Sequence, residues 1–461
     1  MESLVESRMV PMDGAEFAPL GGDGEFLSSL YQSAFDVEAP HHGLREHKKR
    51  LARFAQRTLV DWSPPMRSGF AAERPFQVID FFSGCGGMSA GFAAVSTAFP
   101  FFEMIGGCDI GGDAAKAYAG NFNAVGMKRD VVGLAEDDAA LDEFMAGLDR
   151  YDPDKPLVVI GCAPCQGFSA HRKHNWDNDD ERNTLVGAFA ALAVKLAPEC
   201  VIMENVPEVL SGKYWKHFAE ARDVFTDAGY TVHQAVYNTA SFGVPQERFR
   251  SLMIAMKHDF LMPEPMYEHD EFMTVKDAIG HLPAIEAGER HPEDFLHRCA
   301  GHRESTLETI RAVPKDGGSR PFGVGPKCLD RVKGYYDVYG RLHWDRPAIT
   351  ITHYARNPAS GRYVHPDQDR GLSVREAALL QSFPEGYYFS GTFDEMFKQI
   401  GEAVPPKFSC AIAASVLVEL LSPEPDDLER ERAFRSISEP VKDSFSGVIA
   451  GIKSSRRKAA E

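Results

Sequence analysis

The stretch Phe76-Gln77-Val78-Ile79-Asp80-Phe81-Phe82-Ser83-Gly84-Cys85-Gly86-Gly87 decides the fold. Its first seven residues read as a buried β-strand. The glycines that follow let the backbone turn, approach a ligand closely and start a helix against the strand. A helix of small residues runs on from Ser89 to about Thr97. Working outward, Phe101 to Cys108 reads as a second strand and Asp113 to Phe122 as a helix. Leu157–Ile160, Cys200–Met203, Thr231–Tyr237 and Leu252–Ala255 read as further strands, with helices over Thr184–Leu196 and Trp215–Ala228. This alternation predicts an α/β protein: a Rossmann-like, mainly parallel sheet with helices on both faces. Ligands on such sheets sit outside the carboxyl ends of the strands, so the loops after each strand are the places to look for chemistry.

Composition sets the outer bounds. The chain of 461 residues is 44% hydrophobic and 25% charged, which excludes a wholly disordered protein. No apolar run approaches the ~18 residues of a membrane helix; the longest, Leu185 to Ala197, is cut by Lys195. The opening Met-Glu-Ser-Leu-Val-Glu-Ser lacks the basic start and apolar stretch of a secretory signal. Eight cysteines are too few for a disulfide scaffold and point to a reducing cytoplasm. The net charge of −17 argues against nonspecific binding to phosphate backbones. Between Phe295 and Val364, however, twelve Lys/Arg stand against six Asp/Glu, a local +6 that leaves −23 elsewhere. A basic segment in an acidic body suits a confined polyanion site; a solvated loop explains the charge equally well.

Residues 1–74 form a mostly irregular extension carrying a basic amphipathic helix at Leu44–Leu59, read as a surface helix. From about Phe260 to Phe389 the alternation gives way to Gly, Pro, His and Arg, as in a second, irregular domain. Helical patterning returns over Phe393–Leu421, and a charged tail follows.

Four loops carry candidate chemistry. The first is the glycine-rich turn, with Asp109 at the end of the second strand as a candidate ribose acid and Asp130 after a third strand end. Either acid serves equally as a helix cap. The second, Gly161-Cys162-Ala163-Pro164-Cys165-Gln166, follows the strand Leu157–Ile160. Its CxxC raises zinc and thiol–disulfide readings. No second CxxC or His-x-His exists elsewhere, and Pro164 stiffens the approach to Cys165, which favours a single nucleophile. The third, Glu204-Asn205-Val206-Pro207, sets a carboxylate at a strand end, where burial suits it to general acid work; an N-cap is the plain alternative. The fourth is Gln246-Glu247-Arg248-Phe249-Arg250. Alternate arginines on a strand point to one face, where they clamp an oxygen or form structural ion pairs.

Taken in order, these loops resemble the DNA (cytosine-5) methyltransferase family, in its compact bacterial or phage form. Asp80–Gly87 resembles the cofactor motif, Pro164-Cys165-Gln166 the nucleophile motif, Glu204-Asn205-Val206 the acid motif and Gln246–Arg250 the arginine motif. Arg346–Thr352, Arg375–Pro384 and Gly401-Glu402-Ala403-Val404-Pro405-Pro406 extend the series to near the chain's end. One departure stands out: Glu402 occupies a position where the family usually has Asn.

The resemblance implies S-adenosylmethionine as cofactor, S-adenosylhomocysteine as product, and no metal. It implies that Cys165 adds to cytosine C6 and that Glu204 contacts N3. Arg248 and Arg250 would hold the ring oxygen or nearby backbone, and Asn205 would brace the Pro164–Cys165 turn. Phe82, Gly84, Gly86 and Gly87 would wrap the methionine end, Asp109 the ribose, Ile110 the adenine face and Asp130 the adenine amino group, with Glu402 and Val404 behind them. The base would be flipped out of double-stranded DNA. Gln166 and Ser169, on the loop Gln166–Arg182, would meet the DNA, and Arg320, Arg331 and Arg346 in the basic segment are candidates to bind it. The implied layout is an extension (1–74), a catalytic and cofactor domain (75–265), a target-recognition domain (266–392), a return to the catalytic domain (393–425) and a tail (426–461). The implied setting is a monomer on DNA, cytoplasmic and nucleoid-associated, with no membrane. Two rivals are weighed. A tRNA cytosine-5 methyltransferase usually carries a Cys-Phe-Thr element, absent here. A silent DNA-binding regulator would be expected to lose Pro164-Cys165 or Glu204-Asn205-Val206.

Overall fold

The computed structural model describes residues 44–62, 75–98, 100–164, 185–331, 337–421 and 436–440. Helix α1 (Leu44–Thr58) precedes β1 (Phe76–Phe81), α2 (Gly87–Ala98), β2 (Phe102–Asp109), α3 (Gly112–Asn121), β3 (Val125–Lys128), α4 (Val131–Glu136) and α5 (Asp138–Ala146). Then come β4 (Leu157–Gly161), α6 (Leu185–Lys195), β5 (Cys200–Asn205), α7 (Trp215–Asp227), β6 (Thr231–Asn238) and β7 (Phe249–Met256). The short helices α8 (Val275–Ile279), α9 (Glu304–Arg311), α10 (Cys328–Arg331) and α11 (Val374–Leu380) lead to α12 (Phe393–Glu402) and α13 (Pro406–Leu421).

The strands form one sheet in the order β3-β2-β1-β4-β5-β7-β6. All are parallel except β7, which runs antiparallel to both β5 and β6. The reason is the short link from Asn238 to Phe249: a parallel crossover needs a dozen or more residues, while an antiparallel return does not. Strand alternation splits the core in two. Val78, Val158, Ile202 and Ile254 pack with α2 and α13 on one face. Ile79, Phe81, Val159, Met203 and Met253 pack with α6 and α7 on the other. Both faces are covered, as the nearly unbroken apolar strands require.

Helix α1 corrects the surface-helix expectation. Leu51, Ala52, Ala55 and Leu59 are buried against α2 and α13. Even Lys48 is only 5% exposed: its ammonium pairs with Glu419 of α13 and donates to the Leu261 carbonyl. The helix wedges behind the sheet, so its basic residues divide between rim and core.

The stretch after β7 folds largely without regular structure. Ile310, Val313, Val338, Tyr339 and Val364 make a small separate core. Arg341 organises it, fully buried, donating to the carbonyls of Val313, Ile310, His365 and Gln368 and pairing with Asp369.

Candidate active site

The strand registers align the loops. Phe81 pairs with Cys108 on one side and Gly161 on the other, and Gly161 pairs with Met203. The turns after β1, β2, β4 and β5 therefore open at one edge of the sheet. The chain leaves β1 through Phe82 at φ 55°, an uncommon left-handed position for a side-chain-bearing residue. The Ser83 N–H then donates to the Cys108 carbonyl at 2.9 Å, and the Gly86 N–H to the Ser83 carbonyl at 2.8 Å.

Glycine is needed here for two different reasons. Gly86 lies at φ +92°, and a Cβ there would strike the Phe122 ring at 2.2 Å. Gly87 has no room: a Cβ would sit 2.3 Å from the Val404 carbonyl oxygen. At Gly84, by contrast, the space a Cβ would enter is open, and glycine is favoured there by its φ of +54°.

Asp109 ends β2 and accepts from the Gly84 N–H at 3.0 Å and the Gly111 N–H at 2.7 Å. Burial raises its carboxyl above the usual range, and those two N–H groups oppose the rise. A carboxylate has about four acceptor positions, so capacity remains for hydroxyls. Ile110 beside it is 71% exposed, an apolar side chain left uncovered at the cleft. Asp130 is exposed and caps α4 by accepting from the Val132 N–H, the alternative already weighed for it. Glu402 ends α12, exposed, with its carboxylate 4.0 Å from His353 Nδ1. Val404 is buried and meets the glycine loop through its backbone.

Beside this cradle, β4 delivers Cys162, Ala163 and Pro164. Cys165, Gln166 and Ser169, with the loop to Arg182, lie outside the described residues. Burial, reinforced by Glu204, raises the Cys162 thiol well above its ordinary range, so it stays protonated and is a poor nucleophile. On β5, Asn205 donates to the Ala163 carbonyl at 3.3 Å, bracing the turn one residue before Pro164. Glu204 is buried and its Oε1 lies 2.7 Å from Arg250 Nε. Burial raises its pKa, while Arg250 and Arg248 pull it back. The net direction is upward, so this carboxyl holds a proton more readily than an exposed glutamate does.

The two arginines act on Glu204 together but take different direct partners. Arg250 stands on β7 and points to Glu204. Arg248 precedes the strand and is buried, donating to the carbonyls of Ile351, Gly401 and Ala403 at 3.0, 3.0 and 3.2 Å. Its guanidinium ties the arginine motif to the loop that backs Gly87. Gln246 strengthens the same seam, accepting from the Ile351 N–H at 2.7 Å and donating to the Leu380 carbonyl at 3.1 Å.

Among the basic candidates, Arg320 turns inward, pairing with Asp330 at 2.9 Å and donating to the Val324 carbonyl. In that use Arg320 holds a loop within the stretch after β7. Arg331 and Arg346 are exposed. Reading the sequence missed Asp80 as a chemical group. Its signal was an acid within an otherwise almost wholly apolar strand, and it is 1% exposed beneath the glycine loop.

Residues 76–417 match the family model for C-5 cytosine-specific DNA methylase. The chain is 36% identical over 343 residues to the Type II methyltransferase M1.HphI of Haemophilus parahaemolyticus, covering 74% of this chain and 86% of that protein. It is 31% identical over 353 residues to the Type II methylase M.HgiDII of Herpetosiphon aurantiacus, covering 74% and 94%. Among solved structures, a protein described as a DNA modification methyltransferase encoded within an E. coli prophage superposes with a TM-score of 0.56 at 23% identity, covering 75% of this chain and 99% of that one. That likeness bears on the fold alone.

Proposed function

From the premise that this chain belongs to the C-5 cytosine-specific DNA methylase family and is a DNA (cytosine-5) methyltransferase, we propose that it methylates C5 of a flipped-out cytosine at a specific sequence in double-stranded DNA. Its methyl donor in this reading is S-adenosylmethionine and its nucleophile Cys165. The observation that carries the reading is the buried Glu204–Arg250 pair, 2.7 Å apart, next to the turn that leads into Cys165.

The chemistry follows from cytosine itself. C5 is too electron-poor to attack an electrophilic carbon unaided. Addition of the Cys165 thiolate at C6 makes C5 enamine-like, and covalent catalysis splits one hard step into easier ones. In this reading Glu204 shares a proton with N3 as the adduct forms, and its pairing with Arg250 supports that role. Asn205, through the Ala163 carbonyl, fixes the approach of the turn. Once C5 carries the methyl group, loss of the C5 proton to a base expels Cys165 as its thiolate and restores the aromatic ring.

The open side of Gly84 and the acceptor capacity of Asp109 fit the cofactor. When bound, it supplies an electrophilic methyl group on a sulfonium. Phe82, Gly84, Gly86 and Gly87 would hold its amino-acid end, Asp109 its ribose and Ile110 its adenine. Asp130 and Glu402 stand at the rim. No metal is called for.

The irregular lobe after β7, about residues 266–392, is the proposed target-recognition part, with residues 75–265 and 393–425 as the catalytic body. The two bacterial relatives carry Type II names, so the proposed setting is the modification arm of a restriction–modification pair, working as a monomer on cytoplasmic DNA.

Bisulfite mapping of DNA from cells expressing the protein tests this. The expected result is 5-methylcytosine at one recurrent sequence, lost in Cys165→Ala. Methylation that survives Cys165→Ala, or DNA without any, overturns the proposal.

A further inference from the structure

The segment before β1 lies outside the family match, which starts at residue 76. It nevertheless reaches the cofactor loop. Trp62, just past α1, is 4% exposed. Its ring centroid lies 5.2 Å from that of Tyr387 and 5.7 Å, edge-on, from that of Phe122. Both partners touch the glycine-rich turn. The Tyr387 hydroxyl donates to the Cys85 carbonyl at 2.6 Å. The Phe122 ring fills the space beside Gly86. The backbones close at the same place: a Cβ on Gly386 would lie 2.2 Å from the Trp62 carbonyl oxygen.

Trp62 is itself well anchored. Leu51, Ala55 and Leu59 bury α1 against α2 and α13. The Gln56 amide donates to the carbonyls of Phe242 and Lys407 at 2.8 and 2.9 Å. The indole N–H finds no acceptor among the described residues, and a buried donor without a partner is a net cost. What Trp62 contributes is therefore its ring. A turn rich in glycine loses much conformational freedom on ordering, so its neighbours must hold it. Phe122 and Tyr387 do so, and Trp62 packs against both.

We propose that Trp62 is a positioning residue for the cofactor loop: through Tyr387 and Phe122 it holds Cys85 and Gly86 in the shape that receives S-adenosylmethionine. The helix and tryptophan ahead of the family's shared core thus set cofactor affinity. This rests on the cofactor reading above.

The test compares full-length wild type with Trp62→Ala, Trp62→Phe and Tyr387→Phe. S-adenosylhomocysteine binding is measured by calorimetry, and amide exchange of residues 83–87 without ligand. Trp62→Ala should bind about tenfold more weakly, as expected for losing two aromatic contacts, and exchange faster at 83–87. Trp62→Phe should recover most of the loss, and Tyr387→Phe should fall between. The KM for S-adenosylmethionine should rise by the same factor, with kcat at saturating cofactor held within about twofold. A role confined to stability would lower Tm and the folded fraction, yet leave Kd and loop exchange at wild-type values; that result overturns the proposal. Should Trp62→Ala not fold, Tyr387→Phe decides, since it keeps every ring and removes one hydroxyl. Wild-type Kd and exchange there overturn the proposal equally. A wild type that binds no S-adenosylhomocysteine overturns the cofactor reading instead, and the exchange comparison still decides whether Trp62 holds the loop.

Discussion

Asp80 sits on the central strand β1 with one carboxyl oxygen accepting from the Ser89 hydroxyl at 2.6 Å. Its other oxygen, Oδ1, has no partner among the described residues. Burial pushes this carboxyl up to about 7, and Asp109 adds to the rise. The raised value means that the folded protein holds the proton more firmly than the unfolded chain does. The stabilisation this gives is fully present below the ordinary value of 3.8 and is lost as pH climbs through about 7. Asp80→Asn removes the titration while keeping an acceptor for Ser89. Its stability relative to wild type should therefore improve by on the order of 2 kcal/mol from pH 5 to pH 8. Urea unfolding of both proteins at the two pH values checks this; parallel stability curves would show that Asp80 is ionised at little cost.

Among the elements, α1 departs furthest from its sequence. Lys48 and Glu419 form a buried pair between α1 and α13, with side chains 6% and 2% exposed. Removing one partner strands the other charge, so Lys48→Met or Glu419→Leu alone should each cost about 3 kcal/mol, and the double variant far less than their sum. Denaturant titration of the four proteins measures it; additive losses would mean that the pair is not coupled. The sequence could not announce this pair. Arg45, Lys48, Lys49 and Arg50 read as a solvated face, and the acid that neutralises Lys48 belongs to a helix at the far end of the chain. The strand–loop units were legible for the opposite reason: each is local, an apolar run ended by glycine, proline or a charge. Hence Asp80–Gly87, Gly161–Pro164 and Glu204–Asn205 are placed at strand ends by the sequence alone. The diverging arginines were not legible. Alternation holds only within a strand, and Arg248 falls one residue before β7 begins.

At the scale of the whole molecule, charge sorts into structural and available cations. Arg341 and Arg320 face inward, while Arg331 and Arg346 stay exposed on the lobe after β7. Counting basic residues in that segment therefore overstates what DNA meets. If Arg346 neutralises a phosphate, binding to DNA should weaken steeply with salt, and Arg346→Ala should flatten the log–log slope by about 0.9. Arg320→Ala should leave the slope unchanged and lower stability instead. Fluorescence anisotropy with a labelled duplex across a salt series distinguishes them, and a slope indifferent to Arg346 removes that residue from the interface.

The close fit of Gly87 against Val404 also ties the first turn of the sheet to a stretch made late in the chain's synthesis. Ribosomes release the amino end first, so the glycine turn emerges well before the stretch that backs it has been translated. An interrupted polypeptide carries the glycine turn without the Val404 backbone that packs on it. Only a chain translated past Val404 can close that turn, so the first loop of the sheet is finished from the far end of the sequence.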